Sequence, residues 1–307
     1  MEKGESGLQI SCPSLLRSVA IERGRLVIGT AQLTQAYGLY GAHAGRDSAA
    51  ELLALAADKG IRAFDTAALY GDAETEIGRL LPRMPGIEVI TKCGHVPANA
   101  ADKAALIDRS LRASMERLGL ARIPVFLLHN MDAFDGAVAR KLDAIRQAGL
   151  ATRVGVSVYS GEEIDRVLAH WSPDVVQLPL NLFDQRLIES GHIAALRARG
   201  VEIHVRSAYL QGVLLAAPAT LPPWLRELQS RLRAFIDEAG EPPAARAAAC
   251  LGFVAQVSGV DRIVVGVQNC EQLRQLVAAA DAACCVERPE RFAVNDPALV
   301  DPSRWPR

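Results

Sequence analysis

The sequence has almost no net charge, which argues against two classes of partner. It holds 34 Lys and Arg residues against 35 Asp and Glu residues, for a formal net charge of −1. Proteins that bind nucleic acid or acidic membrane surfaces usually show a basic excess. No apolar run approaches the length of a membrane span, and the N-terminal MEKGESGLQIS lacks a signal peptide's apolar core. We therefore expect a cytoplasmic protein, with neither nucleic acid nor a membrane as a partner.

The sequence also lacks the common cysteine and glycine motifs. Its six cysteines include no CxxC pair and have no metal-ligand spacing with the histidines. Such a scattered set is typical of reduced thiols in a cytosolic protein, and we expect no metal site. No GxGxxG motif follows the first predicted strand, so a Rossmann domain is not supported.

What the chain does contain is a regular alternation of short apolar runs and helical patterns. Eight runs read as strands, each followed by a helix, and this alternation predicts a parallel sheet closed into a single (β/α)8 TIM barrel. No break in composition marks a domain boundary, so we predict one domain over 1–307, with an N-terminal hairpin or lid at 1–25 and a tail at 287–307 that wraps the outside. The predicted strands are 26–31, 61–65, 87–91, 125–128, 152–156, 175–178, 201–205 and 262–265. The predicted helices are 48–59, 73–81, 102–118, 135–147, 161–169, 187–199, 224–238, 244–257 and 270–280.

Polar residues stand at the ends of three successive strands. Asp65 ends the second strand, Lys92 the third and His129 the fourth, while Tyr70 lies on the loop after Asp65. We call these four residues the tetrad. Each has a structural alternative, such as a turn-capping Asp65 or a satisfied core histidine at His129. Because strand ends converge on one face of a barrel, where active sites sit, their joint occurrence favours a functional pocket.

The tetrad suits one reaction. Reducing a carbonyl by hydride requires a proton for the developing alkoxide, and a phenol with a pKa of about 10 is a poor acid near neutrality. A nearby ammonium favours the phenolate and so lowers that pKa, while a carboxylate holds the ammonium in place. An imidazole can orient the carbonyl oxygen by hydrogen bonding.

These motifs resemble those of the aldo-keto reductase family. FDTAALYG resembles its Asp-Thr/Ser-Ala-x-x-Tyr-Gly signature, and ITK and LLH resemble the segments that carry its lysine and histidine. GVS, ending at Ser157, and VVQ, ending at Gln177, resemble the segments that hold the nicotinamide carboxamide. The resemblance extends over nearly the whole chain in the same order.

The resemblance implies a function and a set of site residues. It implies an NAD(P)H-dependent oxidoreductase that reduces an aldehyde or ketone to an alcohol, with Tyr70 as general acid/base, Asp65 and Lys92 tuning it, and His129 orienting the substrate. The residues implied to bind the nucleotide cofactor are Gly29, Thr30, Ala31, Asp65, Ser157, Gln177, Arg206, Ser207, Leu210, Gln211, Gly212, Gly266, Gln268, Gln272 and Gln275. Its phosphates are expected on the loops after strands seven and eight.

Three positions depart from the commoner family pattern. Val158 follows Ser157 where many members have asparagine, which removes one amide partner for the carboxamide. Arg206 stands where many members place an aromatic under the nicotinamide ring; a guanidinium can stack there but changes the ring's electronics. Asn130 follows His129 in place of the more usual arginine or tryptophan.

The segment after strand eight bears on the choice of cofactor. NADP carries an extra 2′-phosphate, which sites that prefer it usually meet with Arg or Lys. Here the segment reads GVQNCEQLRQL, and Gln275-Leu276 replaces the family's adenine-side Glu-Asn pair. With no cation to meet it, a desolvated phosphate is costly, so we predict NAD(H) in preference to NADP(H). The alternative is that Arg274 or Arg262 takes the phosphate.

Two other functions stay open at this point. The first is an NAD(H)-binding regulator with weak or no catalysis, which senses the cofactor and binds a protein partner, like the family's potassium-channel β subunits or its KidO-type cell-division regulators. A structural barrel with no ligand is disfavoured by the tetrad. The loops expected to shape the substrate pocket, at 35–45, 95–101 and 214–223, carry no charge cluster that indicates an anionic substrate.

Overall fold

The computed structural model describes residues 17–34 and 48–306, and these form a closed barrel of eight parallel strands. The strands pair in sequence order, and β1 closes the barrel by pairing with β8. This confirms the predicted (β/α)8 TIM barrel. The strands are β1 Leu26–Gly29, β2 Ala63–Asp65, β3 Glu88–Lys92, β4 Ile123–Leu128, β5 Ala151–Ser157, β6 Val175–Pro179, β7 Glu202–Arg206 and β8 Val260–Gly266.

Helices connect the strands and surround the barrel. They are α1 Ala31–Thr34, α2 Ala49–Asp58, α3 Ala73–Leu80, α4 Lys103–Leu118, α5 Gly136–Gln147, α6 Gly161–Leu168, α7 Arg186–Glu189, α8 His192–Ala198, α9 Gln229–Ala239, α10 Pro243–Gln256, α11 Cys270–Asp281 and α12 Pro297–Val300. Among the described residues, no helix has the length and apolarity that crossing a membrane requires.

The apolar side chains divide into two cores. One small cluster fills the barrel interior and includes Val27, Ile90 and Val264. A much larger one lies between the strands and the helices and includes Phe64, Phe126 and Leu142. Side chains alternate between the two faces along a strand, and six strands contribute to both cores, while β5 and β7 contribute to the larger one alone.

Local sequence signals set several helix boundaries. Ser48 caps α2 in a capping box with Glu51, so the helix begins after Ser48. Asp102 caps α4 by accepting a hydrogen bond from Ala105 N–H, and Gly119 ends that helix in the left-handed conformation at φ 65°. Each boundary satisfies backbone groups that the helix itself leaves unpaired.

Three predicted elements differ from the structure. The predicted helix 224–238 is α9 only from Gln229 onward, after a 3₁₀ helix over Pro223–Leu228. The predicted helix 187–199 is two short helices, α7 and α8, separated at Gly191, whose φ is 77°. This left-handed conformation interrupts the regular helix, and glycine adopts it readily. The first strand was predicted to run to Ala31 but ends at Gly29, because Ala31 opens the short helix α1.

A group of charged residues closes the end of the barrel at which the strands begin. Arg153 pairs with both Glu88 and Glu202, and Arg262 pairs with Glu88 at 3.0 Å. His204 Nε2 lies 2.8 Å from a Glu202 carboxylate oxygen. We call these five residues the basal cluster. Burial disfavours the Glu202 carboxylate, but His204 and Arg153 outweigh it and lower the pKa of Glu202 to about 2.

The C-terminal tail packs into the barrel's outer layer. Phe292 is fully buried and meets Phe235 edge-on, with 5.8 Å between ring centroids. Val294 N–H donates to Phe183 O at 2.8 Å. Of the predicted N-terminal hairpin or lid, the part before residue 17 lies outside the described residues; the described part bridges Ser18 to Cys284. The predicted loop 35–45 also lies outside the described residues.

Candidate active site

The centre of the site is a buried ion pair between the ends of β2 and β3. Lys92 Nζ donates to Asp65 Oδ1 at 2.5 Å and to Thr66 O at 3.0 Å. Gln177 Nε2 donates to the second Asp65 oxygen at 2.7 Å. Burial lowers the pKa of the Lys92 ammonium below its usual value, although the Asp65 carboxylate opposes this effect. The ion pair therefore holds the ammonium at one position inside the barrel mouth.

Tyr70 lies against this pair, on the loop between β2 and α3. Lys92 Nζ lies 5.3 Å from the centroid of the Tyr70 ring. The Tyr70 ring meets the His129 ring edge-on, with centroids 5.7 Å apart and an interplanar angle of 82°. The fold thus brings all four members of the tetrad together on the face where the strands end.

The environment of His129 keeps its imidazole neutral. Burial, followed by the charges of Lys92 and Arg206, lowers the pKa of His129 to about 3. Its Nδ1 is buried and has no hydrogen-bond partner among the described residues. A proton on Nδ1 would be a buried donor without an acceptor, so the environment favours the tautomer with the proton on Nε2. That tautomer can donate one hydrogen bond from Nε2.

A cavity of about 730 Å³ opens beside the tetrad. It is formed by strand ends and by the loops that follow them, chiefly those after β1, β7 and β8. The predicted site residues that line it are Gly29, Ala31, Asp65, Tyr70, Gln177, Arg206, Ser207, Gln211, Gly212, Gly266, Gln268, Gln272 and Gln275. This volume is in the range of pockets that hold small molecules and cofactors.

The tetrad members Lys92 and His129 do not line the cavity, and three predicted cofactor-binding residues lie behind its wall. Thr30 is buried and donates its hydroxyl to Asp65 O at 3.0 Å. Ser157 is buried and stands beside Gln177 in the register of β5 and β6. Leu210 is also buried, and its N–H donates to Ser207 O at 2.8 Å. In this structure they support the residues that face the cavity.

The loop after β7 has an unusual backbone conformation. Ser207, Leu210 and Gln211 have positive φ angles of 63°, 46° and 56°, and Gly212 follows at 95°. Non-glycine residues rarely adopt this region, and such residues cluster at ligand-binding sites. The strained stretch lines the cavity through Ser207, Gln211 and Gly212, so this unusual backbone forms part of the cavity wall.

Two cavity-lining groups were missed from the sequence. Gln32 follows β1 on the short helix α1, and its buried Oε1 has no partner among the described residues. Residues 242–244 and Ala247, around the start of α10, line the cavity next to Tyr209. For this second group the Pro242-Pro243 pair gave a usable signal, because proline is favoured in the first turn of a helix and so marks a loop-to-helix junction.

The cavity contains few charges and many amides. Among the described residues that line it, only Asp65 and Arg206 are charged. Its glutamines are Gln32, Gln177, Gln211, Gln268, Gln272 and Gln275. The Arg206 guanidinium stacks over Tyr159 at 3.9 Å from the ring centroid and donates to Val158 O at 2.8 Å. Within the described ranges, no carboxylate forms an ion pair with it.

The two arginines proposed as alternative phosphate ligands lie outside the cavity. Arg262 belongs to the basal cluster at the opposite end of the barrel, where it pairs with Glu88. Arg274 lies on α11, is largely exposed and pairs with Glu271 at 3.6 Å. The nearest part of the cavity wall is formed by the neutral Gln272 and Gln275.

Comparison with known proteins gives the same family along most of the chain. The family model described as the Aldo/keto reductase family matches residues 25–284. Pyridoxal 4-dehydrogenase of Microbacterium luteolum is 28% identical over 82% of this chain and 88% of its own length. An aldo-keto reductase of Mycolicibacterium vanbaalenii is 29% identical, over 56% of this chain and 63% of its own length.

Solved structures share the fold. An aldo-keto reductase from Bacillus halodurans in its holo form superposes with a TM-score of 0.72 at 19% identity, covering 92% of this chain and 95% of the other. Glycerol dehydrogenase from Gluconobacter oxydans superposes with a TM-score of 0.65 at 21% identity, covering 92% and 93%. With its eight-stranded barrel and its match to the family model over residues 25–284, the chain belongs to the aldo-keto reductase family, a family of oxidoreductases.

Proposed function

We propose that this protein reduces an aldehyde or ketone to an alcohol, with a nicotinamide dinucleotide as hydride donor and Tyr70 as proton donor. The observation that carries the proposal is the position of the Tyr70 ring, next to the buried Lys92–Asp65 pair and at the wall of a cavity. This is the arrangement that proton delivery to a developing alkoxide requires.

Tyr70 delivers the proton. As the carbonyl is reduced, negative charge grows on its oxygen and the Tyr70 hydroxyl donates to it. The Lys92 ammonium, held by Asp65 at 2.5 Å, stabilises the negative charge that this transfer leaves on the phenol oxygen. Gln177 completes the support by holding the second Asp65 oxygen at 2.7 Å.

His129 orients the carbonyl. Since its imidazole is neutral, it adds no charge to the site and acts as a hydrogen-bond donor from Nε2. Its edge-on contact with the Tyr70 ring, at 5.7 Å between centroids, supports a pair of donors that act on one carbonyl oxygen. Two donors aimed at the same developing charge lower its energy in the transition state.

The cavity fits a dinucleotide. When bound, a reduced nicotinamide supplies the hydride. At the end of the cavity near the tetrad, Gln177 and Arg206 are placed to hold the nicotinamide side. The strained loop of Ser207 and Gln211 and the start of α11 would hold the phosphates and the adenosine, because helix N-termini and exposed backbone N–H groups favour anions.

The residues at the far end of the cavity favour NAD(H) over NADP(H). Gln268 and Gln272 are neutral and line this end of the cavity, and the Gln272 side chain is held there by the Gln268 N–H, which donates to its Oε1 at 2.9 Å. The 2′-phosphate of NADP would find amides and the acidic Glu271 instead of a cation. We expect NADH to bind at least as tightly as NADPH.

Titration of both reduced cofactors by tryptophan quenching tests this preference. Gln272→Arg is the matched variant, and we expect it to raise the affinity for NADPH while leaving that for NADH nearly unchanged. A wild-type dissociation constant for NADPH ten or more times lower than for NADH, on the order of 1.4 kcal/mol, contradicts the preference.

A carbonyl panel assayed by loss of NADH absorbance tests the function. The panel includes pyridoxal and sugars that carry an aldehyde, because relatives of this chain are named pyridoxal 4-dehydrogenase, 6-dehydroglucose reductase and L-galactose dehydrogenase. Turnover supports the proposed enzyme. Tight cofactor binding without turnover of any carbonyl supports the regulatory alternative instead.

A further inference from the structure

A fully buried carboxylate lies just beyond Tyr70 in sequence and outside the cavity. Glu74, in the first turn of α3, is 0% exposed. Its Oε1 accepts a hydrogen bond from the Thr91 hydroxyl at 2.5 Å, and its Oε2 accepts from Arg117 Nε at 2.7 Å. Burying a charge is costly, and an apolar side chain would fill the same space without that cost. A buried carboxylate at this position therefore indicates a role other than packing.

The position of Glu74 suggests that role. Thr91 directly precedes Lys92 on β3, and adjacent strand residues point to opposite faces. Lys92 therefore faces the barrel interior and donates to Asp65, while Thr91 faces the helix layer and donates to Glu74. Two neighbouring residues of β3 thus hydrogen-bond to Asp65 before the Tyr70 loop and to Glu74 after it.

Hydrogen bonds tie the loop and the start of α3 to β3 on both sides of Tyr70. The first part of the loop follows β3 through the backbone, where Ala68 N–H donates to Lys92 O at 3.0 Å. Tyr70 and Gly71 come next, and Gly71 turns the chain at φ 49°. Beyond Tyr70, the Glu74 carboxylate accepts a hydrogen bond from Thr91 of β3. Tyr70 therefore lies between two hydrogen bonds to β3.

Arg117, the second hydrogen-bond partner of Glu74, fixes α3 from the other side. Arg117 lies on α4, and α3 and α4 approach so closely that a Cβ on Gly78 would lie 2.2 Å from Arg117 O. Arg117 also neutralises the buried charge of Glu74. The start of α3 is thereby held against both β3 and α4.

We propose that Glu74 is a positioning residue, which through Thr91 sets the distance between the Tyr70 ring and the Lys92 ammonium. The proposal rests on the proposed function, since the distance matters because Tyr70 is the proton donor. Displacing a reacting group by about 1 Å can cost on the order of a hundredfold in rate. Binding of the cofactor depends on other loops, so the displacement leaves it intact.

Thr91→Val and Thr91→Ser form the matched pair that tests it. Valine has the shape of threonine but cannot donate to Glu74, whereas serine keeps the hydroxyl. For Thr91→Val we expect kcat for carbonyl reduction to fall about tenfold or more, with KM and the NADH dissociation constant within about twofold of wild type. Thr91→Ser should restore most of the lost kcat. Glu202→Gln, in the basal cluster, controls for a general loss of stability and should keep its kcat.

Either of two results would overturn the proposal: wild-type kcat in Thr91→Val, or an equal loss of kcat in Glu202→Gln at matched thermal stability. If the wild-type protein reduces no carbonyl, the proposed function fails by itself. Crystal structures of wild type and Thr91→Val then decide the positioning claim. Displacement of the Tyr70 ring from its place 5.3 Å from Lys92 Nζ supports it, and an unmoved ring overturns it.

Discussion

The two ends of the barrel carry charged clusters that differ in one instructive way. In the basal cluster, Arg153 and Arg262 pair with Glu88 and Glu202, so every charge meets an opposite one. At the tetrad, the Lys92–Asp65 pair is just as complete, and each end also holds a histidine, His129 or His204, whose buried Nδ1 has no partner among the described residues. The difference is the cavity, which Asp65 and Tyr70 line and which no member of the basal cluster lines. A satisfied ion pair at the wall of a cavity indicates a site built for a ligand.

The largest expected effect comes from removing the proton donor. We expect Tyr70→Phe to lower kcat for carbonyl reduction by at least about a hundredfold, because proton transfer contributes on that scale. The NADH dissociation constant should change little, since most of the cavity wall is untouched. Steady-state kinetics with cofactor titration measure both. Turnover at the wild-type rate in Tyr70→Phe would show that Tyr70 is not the acid.

Breaking the ion pair at the tetrad should affect both catalysis and folding. Lys92→Met leaves the buried Asp65 carboxylate without its cation, which typically costs about 3–5 kcal/mol of unfolding free energy. It also removes the charge beside the phenol, so activity should fall severely. Urea denaturation and kinetics on the same samples test this. A variant as stable as wild type would contradict a role for the ion pair in folding.

The equivalent change in the basal cluster should affect folding alone. Arg153 is about one third exposed, so solvent screens its pairs with Glu88 and Glu202. We expect Arg153→Met to lower the unfolding free energy by about 1–2 kcal/mol and to leave kcat unchanged. A loss of activity comparable to that of Lys92→Met would remove the distinction between the two ends of the barrel.

The last expected effect is absent at neutral pH and grows only in acid, because it comes from the titration of His129. Its pKa is about 3 in the folded protein and about 6.5 when unfolded, so the unfolded chain binds the extra proton between these values. The stability it contributes is therefore complete above pH 6.5 and decreases as the pH falls toward 3, by up to about 1.4 kcal/mol per pH unit. Denaturation of wild type and His129→Gln across this range should show a shallower decline in the variant. Parallel declines would contradict a buried neutral imidazole.

The sequence predicted the barrel and the convergence of the tetrad because both depend on local patterns. Apolar runs ending in Asp65, Lys92 and His129 are visible without a structure, and the topology of a parallel barrel then brings their ends together. The predicted helix at 187–199 was wrong in its continuity, since its apolar spacing continues across Gly191 while the backbone does not. The glycine was the available signal.

The parts that could not be predicted depend on long-range packing. Glu74 looks like an ordinary acidic residue in the first turn of a helix, where it would favour the helix dipole. Only the fold shows that it is buried and bonded to Thr91 and Arg117. Gln32 was missed for a similar reason, because nothing in its neighbourhood indicates which side of the first loop faces the cavity. Arg262 was one of two alternative phosphate ligands until the structure placed it in the basal cluster.

The most direct test of the account follows the hydride itself. Wild-type protein is incubated with NADH deuterated at the transferred C4 position and with the carbonyl panel, and the products are analysed by mass spectrometry. The account predicts an alcohol that carries one deuterium on the former carbonyl carbon, formed by wild type and almost absent with Tyr70→Phe. Cofactor bound at the cavity with no labelled alcohol from any carbonyl, or equal labelling by Tyr70→Phe, would contradict it.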